Sequence, residues 1–255
     1  MESSRSIEPS RHGLRALVTR PRADAEGLAE ALAARGIEAI IEPLLQIHYR
    51  SEPAPDLARV QAVLCTSANG VRALARLTGE RAVALFAVGE ASAMRARDEG
   101  FGRVESAGGS LADLAALAQG RLRPDGGRLL HVAGSDVAGD LAGALRRIGF
   151  TVDRAVLYEA RPAAALSGAC VRALTAGIVD FALFFSPRTA LIFARLAERA
   201  GIAEALGPVT AISLSAAADA ALGPLRFCAR PIAERPDQPS LLAALDRVLA
   251  ERRRT

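Results

Sequence analysis

A chain of 255 residues, 51% of them hydrophobic, can bury the core of one large domain or two ordinary ones. Aromatics are 4% and Trp is absent, too few rings for base stacking on nucleic acid, and no apolar run reaches the ~18 residues of a membrane helix. All 32 basic residues are arginine, against 28 acids, for a formal charge of +4; lysine Schiff-base chemistry and Gly-Lys-Ser/Thr phosphate loops are excluded, and the arginine excess suits an anionic partner.

Residues 1–13, "MESSRSIEPSRHG", are polar, lack the apolar core of a secretory signal, and are expected to form a disordered leader. Residues 15–39 read as a strand, the turn Thr19-Arg20-Pro21, a helix and a second strand. Leu28, Leu32 and the alanines carry helical spacing, and Gly36 is the expected C-cap. Residues 43–50, "PLLQIHYR", alternate apolar and polar side chains as an exposed strand does. Residues 62–77 give a strand, the turn Thr66-Ser67-Ala68-Asn69 and a helix. Residues 85–118 give a strand, the turn Val88-Gly89-Glu90, a helix, a strand, a polar loop and a helix that Ser110 would N-cap.

The chain then repeats itself. Residues 128–152, with the turn Ala133-Gly134-Ser135, align without a gap on 15–39: Arg128 on Arg15, Leu141 on Leu28, Leu145 on Leu32, Gly149 on Gly36. Residues 155–162, "AVLYEARP", form a second thin exposed segment able to pair with the first. Residues 181–196 match 62–77, with Ser186 on Ser67 and Arg188 on Asn69. Residues 209–245 match 85–118, with the turn Ser213-Leu214-Ser215 and with Ser240 as the expected cap of the last helix. Repeated strand–turn–helix units without hairpins predict an α/β protein: two parallel sheets of four to five strands, each flanked by helices. The tail Arg252-Arg253-Arg254 reads as a solvated helix end.

The three cysteines fit a reducing compartment. Cys65 and Cys228 lie in apolar strand-like runs and are expected as inert core thiols; Cys170 completes the set. His12, His48 and His131 show no ligand spacing, so no metal site is expected. In open α/β sheets ligands bind beyond the carboxyl ends of the strands, where helix N-termini favour anions. The turns named above occupy those places. Ordinary N-capping explains each turn alone; their arrangement in two matching sets of three predicts a ligand cleft. The Gly-x-Gly-x-x-Gly fingerprint is missing, and no Ser-His-Asp or Cys-His set is visible.

The ordered set "LVTRP", "TSANGVRAL", "VGEASA", "GGSLADL", "LLHVAGSD", "AVLYEARP", "FFSPRTA" and "AISLSAAADAAL" resembles the uroporphyrinogen-III synthase family from about residue 14 to 249. The resemblance implies two similar α/β domains joined by a two-stranded antiparallel connector. One domain is 14–43 with 163–250, the inserted one is 51–154, and the connectors are 44–50 and 155–162. It implies no metal or organic cofactor. The cysteine usage, the scarcity of aromatic rings, the lack of a long apolar run and of an exposed apolar stripe set the further expectation of a cytoplasmic monomer with no nucleic-acid partner and no membrane.

The implied reaction closes hydroxymethylbilane, a linear tetrapyrrole with eight carboxylates, into uroporphyrinogen III. Water is lost and the last pyrrole inverts through a spiro intermediate, in an interdomain cleft. Spontaneous closure without inversion competes, and a ~100-fold bias needs only about 2.7 kcal/mol of differential transition-state stabilisation. Tyr158 matches the family tyrosine of the second connector, and its hydroxyl would assist departure of the substrate hydroxyl; a tyrosine simply packing its ring there is the other reading. Thr19, Arg20, Thr66, Ser67, Asn69, Gly89, Gly134, Ser135, Ser186, Arg188, Ser213 and Ser215 are the expected substrate-binding positions. Where many members carry Gly-Pro-Thr-Thr, this chain has Ser213-Leu214-Ser215-Ala216, so a hydroxyl is missing at Ala216 and Ser215 is its nearest substitute. The rival functions are a non-enzymatic two-lobed sensor of a small anion and a nucleotide-sugar or phosphosugar enzyme.

Overall fold

The computed structural model describes residues 13–51, 53–136 and 139–254; the expected leader, apart from Gly13, lies outside the described residues. In chain order the elements are β1 (Leu14–Val18), α1 (Arg22–Ala33), β2 (Ile37–Ile41), β3 (Leu45–Tyr49), β4 (Val60–Cys65) and α2 (Ala68–Leu77). Next come β5 (Ala84–Ala87), α3 (Glu90–Asp98), β6 (Val104–Ser106), α4 (Leu111–Arg121), β7 (Arg128–Gly134), α5 (Leu141–Arg147) and β8 (Val152–Pro162). The chain finishes with α6 (Gly168–Thr175), β9 (Phe181–Phe184), α7 (Pro187–Arg199), a 3-10 turn Ala203–Leu206, β10 (Thr210–Ser213), α8 (Ala216–Ala220) and α9 (Gln238–Arg252).

The chain forms two compact units, Met1–Gln46 with Pro162–Thr255, and Ile47–Arg161. The first holds a four-stranded sheet in the order β10-β9-β1-β2, all neighbours parallel. The sheet of the second runs β3-β8-β7-β4-β5-β6. Its run β5-β4-β7-β8 is parallel throughout and is the same order as β10-β9-β1-β2 under the sequence repeat. So the strands of residues 15–39 join those of 181–213, and the strands of 62–87 join those of 128–158.

Period-two alternation places helices on both faces of each sheet. In the first, Leu17, Ala182, Phe184 and Ala211 pack on Phe193 and Ala197 of α7. Ala16, Val18, Phe181, Leu183 and Ile212 pack on Leu28 and Leu32 of α1 and Leu241 and Leu245 of α9. In the second, Val63, Cys65, Leu85 and Val132 meet Val71 and Leu74 of α2 and Ala93 of α3. Ala62, Leu64, Phe86 and Leu129 meet Leu114 of α4 and Leu145 of α5. Each fully buried Leu or Phe contributes about 1.5–3 kcal/mol. With the central strands buried on both faces, the loops at the sheet ends remain for chemistry, and in open parallel sheets ligands bind beyond the carboxyl ends.

Several local expectations change. The second sheet has six strands because β3 and β6 flank the repeated four. The expected strand after α8 is reduced to bridges at Ala229 and Ile232. Its ladder makes Cys228 N to Val209 O, Ala211 N to Ala229 O and Ser213 N to Pro231 O, but Pro231 has no N–H to return. Cys228 on this segment is exposed, not a core thiol. Ser240 does not cap α9. Asp237 does, accepting the Ser240 N–H at 2.7 Å, because Pro239 fits the first turn and moves the helix start ahead of Ser240. Ser110 caps α4 in a capping box with Asp113. Helix α1 stops at Ala33 with Ala34 as its cap, and Gly36 follows at φ 72°. Of the tail, Arg253 and Arg254 are exposed as expected, but Arg252 is half-buried. It lies over the Phe181 ring at 4.6 Å and reaches Asp180 at 3.3 Å, whose carboxylate also accepts the Arg15 N–H at 2.9 Å.

Residues 152–162 are one strand. Tyr158 therefore sits in the middle of β8, at a height fixed by pairing with β7. The two thin segments pair with antiparallel register: Arg50 N donates to Leu157 O, and Ala163 N to Leu44 O.

Candidate active site

In the Ile47–Arg161 unit, β4 ends at Cys65 and Thr66-Ser67 turn the chain into α2. Ser67 has extended backbone, φ −160° and ψ 156°, and its Oγ accepts the Gly70 N–H at 3.1 Å, the N-cap bond of α2. The same Oγ lies 2.7 Å from the Tyr158 hydroxyl. Tyr158 pairs with Gly134, the last residue of β7, where the β7–β8 register shifts. Ser135 N donates to Tyr158 O at 2.9 Å. Gly134 leaves room for the phenol, since a Cβ there would stand 2.9 Å from two ring carbons. Arg154 secures this strand end by donating to the carbonyls of Gly134 at 2.9 Å and Ser135 at 3.2 Å.

Two further turns share that edge. Asn69 Oδ1 accepts from Arg72, a buried guanidinium, at 2.9 Å. Gly89 heads α3 after β5, and Gly109 N donates to Val88 O at 2.8 Å. Since β8, β7, β4 and β5 are consecutive in the sheet, Tyr158, Gly134, Ser135, Thr66, Ser67, Asn69 and Gly89 occupy one edge.

In the other unit, Thr19-Arg20 and Ser186-Arg188 follow β1 and β9, and Ser213 ends the adjacent strand β10 with Leu214-Ser215 after it. Thr19 is fully buried and its hydroxyl donates to Leu183 O at 2.8 Å. Ser213 Oγ is also buried, with no partner among the described residues. These two hydroxyls shape the edge from inside. Ser186 Oγ caps α7 by accepting Thr189 N–H at 3.1 Å, and Ser215 Oγ caps α8 by accepting Ala218 N–H at 3.2 Å. Arg188 is half-buried in the first turn of α7. Arg20 lies over the Phe185 ring, 4.4 Å from its centroid, and donates to Gln238 Oε1 at 2.9 Å.

Sequence reasoning missed Phe185 and Gln238 as the supports of Arg20, and Arg154 as the brace of Gly134. No local motif carries them, because each pairing depends on which strands are neighbours. His131, one of the histidines without ligand spacing, is 3% exposed and neither ring nitrogen has a partner among the described residues. Burial first, then the Arg154 charge, lower its pKa to about 4. Burial pushes the Cys65 thiol up to about 12, so it is not a nucleophile. Among the described residues no group of three or more His, Cys, Asp or Glu side chains is placed to hold a metal ion, and no helix is long and apolar enough to cross a membrane. Two surface hollows, about 250 Å³ beside Glu204 and Arg226 and about 320 Å³ beside Arg35 and Asp246, include none of the candidate residues.

The profile of one protein family, described as uroporphyrinogen-III synthase HemD, matches residues 26–243. The chain belongs to the uroporphyrinogen-III synthase family. Solved structures of the family are similar to the chain in fold, two of them as follows. That of uroporphyrinogen-III synthetase from Helicobacter pylori is 17% identical with TM-score 0.63, covering 92% of this chain and 99% of that one. A mutant uroporphyrinogen III synthase from the extremely thermophilic bacterium Thermus thermophilus is 20% identical with TM-score 0.53, covering 93% and 99%. No curated protein sequence matches the chain. The synthase cyclises hydroxymethylbilane to uroporphyrinogen III, and the sensor reading is not favoured. The α/β class with parallel sheets flanked by helices is the one that the repeats predict.

Proposed function

We propose that Tyr158 is the proton donor of the cyclisation and that the strand-end turns hold substrate carboxylates. The observation that carries the reading is the Tyr158–Ser67 hydroxyl pair at 2.7 Å, level with the carboxyl end of β7. A phenol next to an N-cap hydroxyl, in a space kept open by a glycine, has a defined position from which to meet a departing hydroxyl. Arg20 and Arg188, with the helix N-termini behind Ser67, Gly89, Ser186 and Ser215, supply positive potential to a polyanion.

The chemical demand is modest. The substrate hydroxyl leaves as water when Tyr158 delivers a proton, and the cation that remains is delocalised over the pyrrole. The bound chain must then present the already substituted position of the terminal ring. A bias of about 2.7 kcal/mol, or ~100-fold, suffices, and held conformation supplies energies of this order. The reading takes the protein as a cytoplasmic monomer that works without a nucleic-acid partner or a membrane; thiols buried at Cys65 and Cys170 are compatible with that compartment.

Steady-state assay of Tyr158→Phe tests the reading. The expected result is a fall in kcat of about 10- to 100-fold with KM within twofold and an unchanged melting temperature. Unchanged turnover by a folded variant would remove Tyr158 from the chemistry.

A further inference from the structure

We infer that Ser67 is a positioning residue for the reaction: its hydroxyl holds and polarises the Tyr158 hydroxyl and links it to the amino end of α2. This rests on the proton-donor reading of Tyr158 and assigns Ser67 a role other than direct contact with substrate.

A serine hydroxyl has one proton and two lone pairs. One lone pair of Ser67 Oγ takes the Gly70 N–H at 3.1 Å. Tyr158 Oη stands 2.7 Å away, and either oxygen can donate. With Ser67 as donor, the phenol proton turns away from Ser67. The chain Gly70 N–H, Ser67 O–H, Tyr158 O–H then runs in one direction, each bond polarising the next. Helix α2 spans ten residues, and its amino end adds positive potential to the same line.

Neighbouring residues fix the ring in this arrangement. The β7–β8 ladder changes register at Gly134, the position paired with Tyr158. Gly134 has no Cβ to strike the ring. Arg154 ties the carbonyls of Gly134 and Ser135 back to β8. The phenol is 8% exposed, so its approach to Ser67 is set by packing rather than by a free rotor.

In the reaction, the C–O bond of the substrate hydroxymethyl group breaks, and the electron pair leaves on oxygen. That oxygen takes the Tyr158 proton and departs as water. The phenolate oxygen is stabilised by the Ser67 O–H already directed at it. The first new carbon–carbon bond forms at the substituted carbon of the terminal ring, which has no proton to lose. The old bond from that carbon to the adjoining bridge then breaks. A second carbon–carbon bond forms at the free α-carbon of the inverted ring, and the proton shed there returns to the phenolate. Ser67 keeps its own proton throughout.

The test is a double-mutant cycle on Ser67 and Tyr158, assayed with hydroxymethylbilane. Ser67→Gly removes the hydroxyl while retaining an acceptable N-cap residue, and Ser67→Thr retains both hydroxyl and cap. Expected are a fall in kcat of about tenfold for Ser67→Gly with KM within twofold, and recovery of most of kcat in Ser67→Thr. In a Tyr158→Phe background, Ser67→Gly should cost less than twofold more, because the two hydroxyls act as one unit. A full tenfold further loss in that background, or a rise in KM with kcat intact, would overturn the positioning role while leaving the donor reading standing. Full turnover by Tyr158→Phe would overturn the donor reading, and the role of Ser67 with it.

Discussion

The guanidinium of Arg20 lies over the ring of Phe185, its central carbon 4.4 Å from the ring centroid, while one nitrogen donates to Gln238. Arg20 follows β1, Phe185 follows β9 and Gln238 opens α9, so three distant segments hold one cation in place. Stacking of this kind contributes about 1 kcal/mol when half-exposed. Phe185→Leu keeps apolar bulk and removes the ring face. It should raise KM for hydroxymethylbilane about fivefold and leave kcat within twofold, as expected when ground state and transition state lose the same contact. Steady-state kinetics reads both; a loss confined to kcat would mean that Arg20 acts on the chemistry instead.

Gly134 is required by the ring beside it, not by its own backbone. Gly134→Ala would put a methyl 2.9 Å from Tyr158 Cε2 and Cζ and 3.2 Å from its hydroxyl oxygen. The ring must swing away, which breaks the bond to Ser67 and strains the end of β7, a cost of about 1–3 kcal/mol. Melting temperature should fall by several degrees and kcat by at least tenfold. A variant with wild-type kcat would show that the phenol position is not critical.

Much of this architecture is legible in the chain. Apolar runs such as 62–65 and 181–184, each ending in a Ser N-cap, mark buried parallel strands feeding helices, and the repeat links them. What is not legible depends on neighbours distant in sequence. Ser67 and Tyr158 are 91 residues apart, and Arg20 and Gln238 are 218 apart, so their contacts follow from strand order alone. Cys228 reads as a core thiol because Phe227 and Ala229 flank it, but Pro231 breaks the ladder and leaves the thiol exposed. Ser240 reads as a cap by its match to Ser110, but Asp237 with Pro239 is the stronger start signal. Arg252 reads as solvated, yet Asp180 and Phe181 lie under it.

His131 predicts a pH dependence of stability. Its folded-state pKa of about 4 lies below the ordinary 6.5, so the unfolded chain binds a proton there that the folded chain refuses. Stability is therefore complete above about pH 6.5, declines as pH falls, and reaches its full loss of up to about 3 kcal/mol below pH 4. His131→Leu should flatten this part of the profile. Urea unfolding between pH 4 and 7 measures it, and an equal slope in wild type and variant would assign the loss to other groups.

The most direct measurement is the isomer composition of the product when purified protein meets hydroxymethylbilane. The type III uroporphyrinogen should dominate over the type I isomer that forms spontaneously, by about 100-fold if the differential stabilisation is near 2.7 kcal/mol. Product in the proportion given by buffer alone would contradict the account.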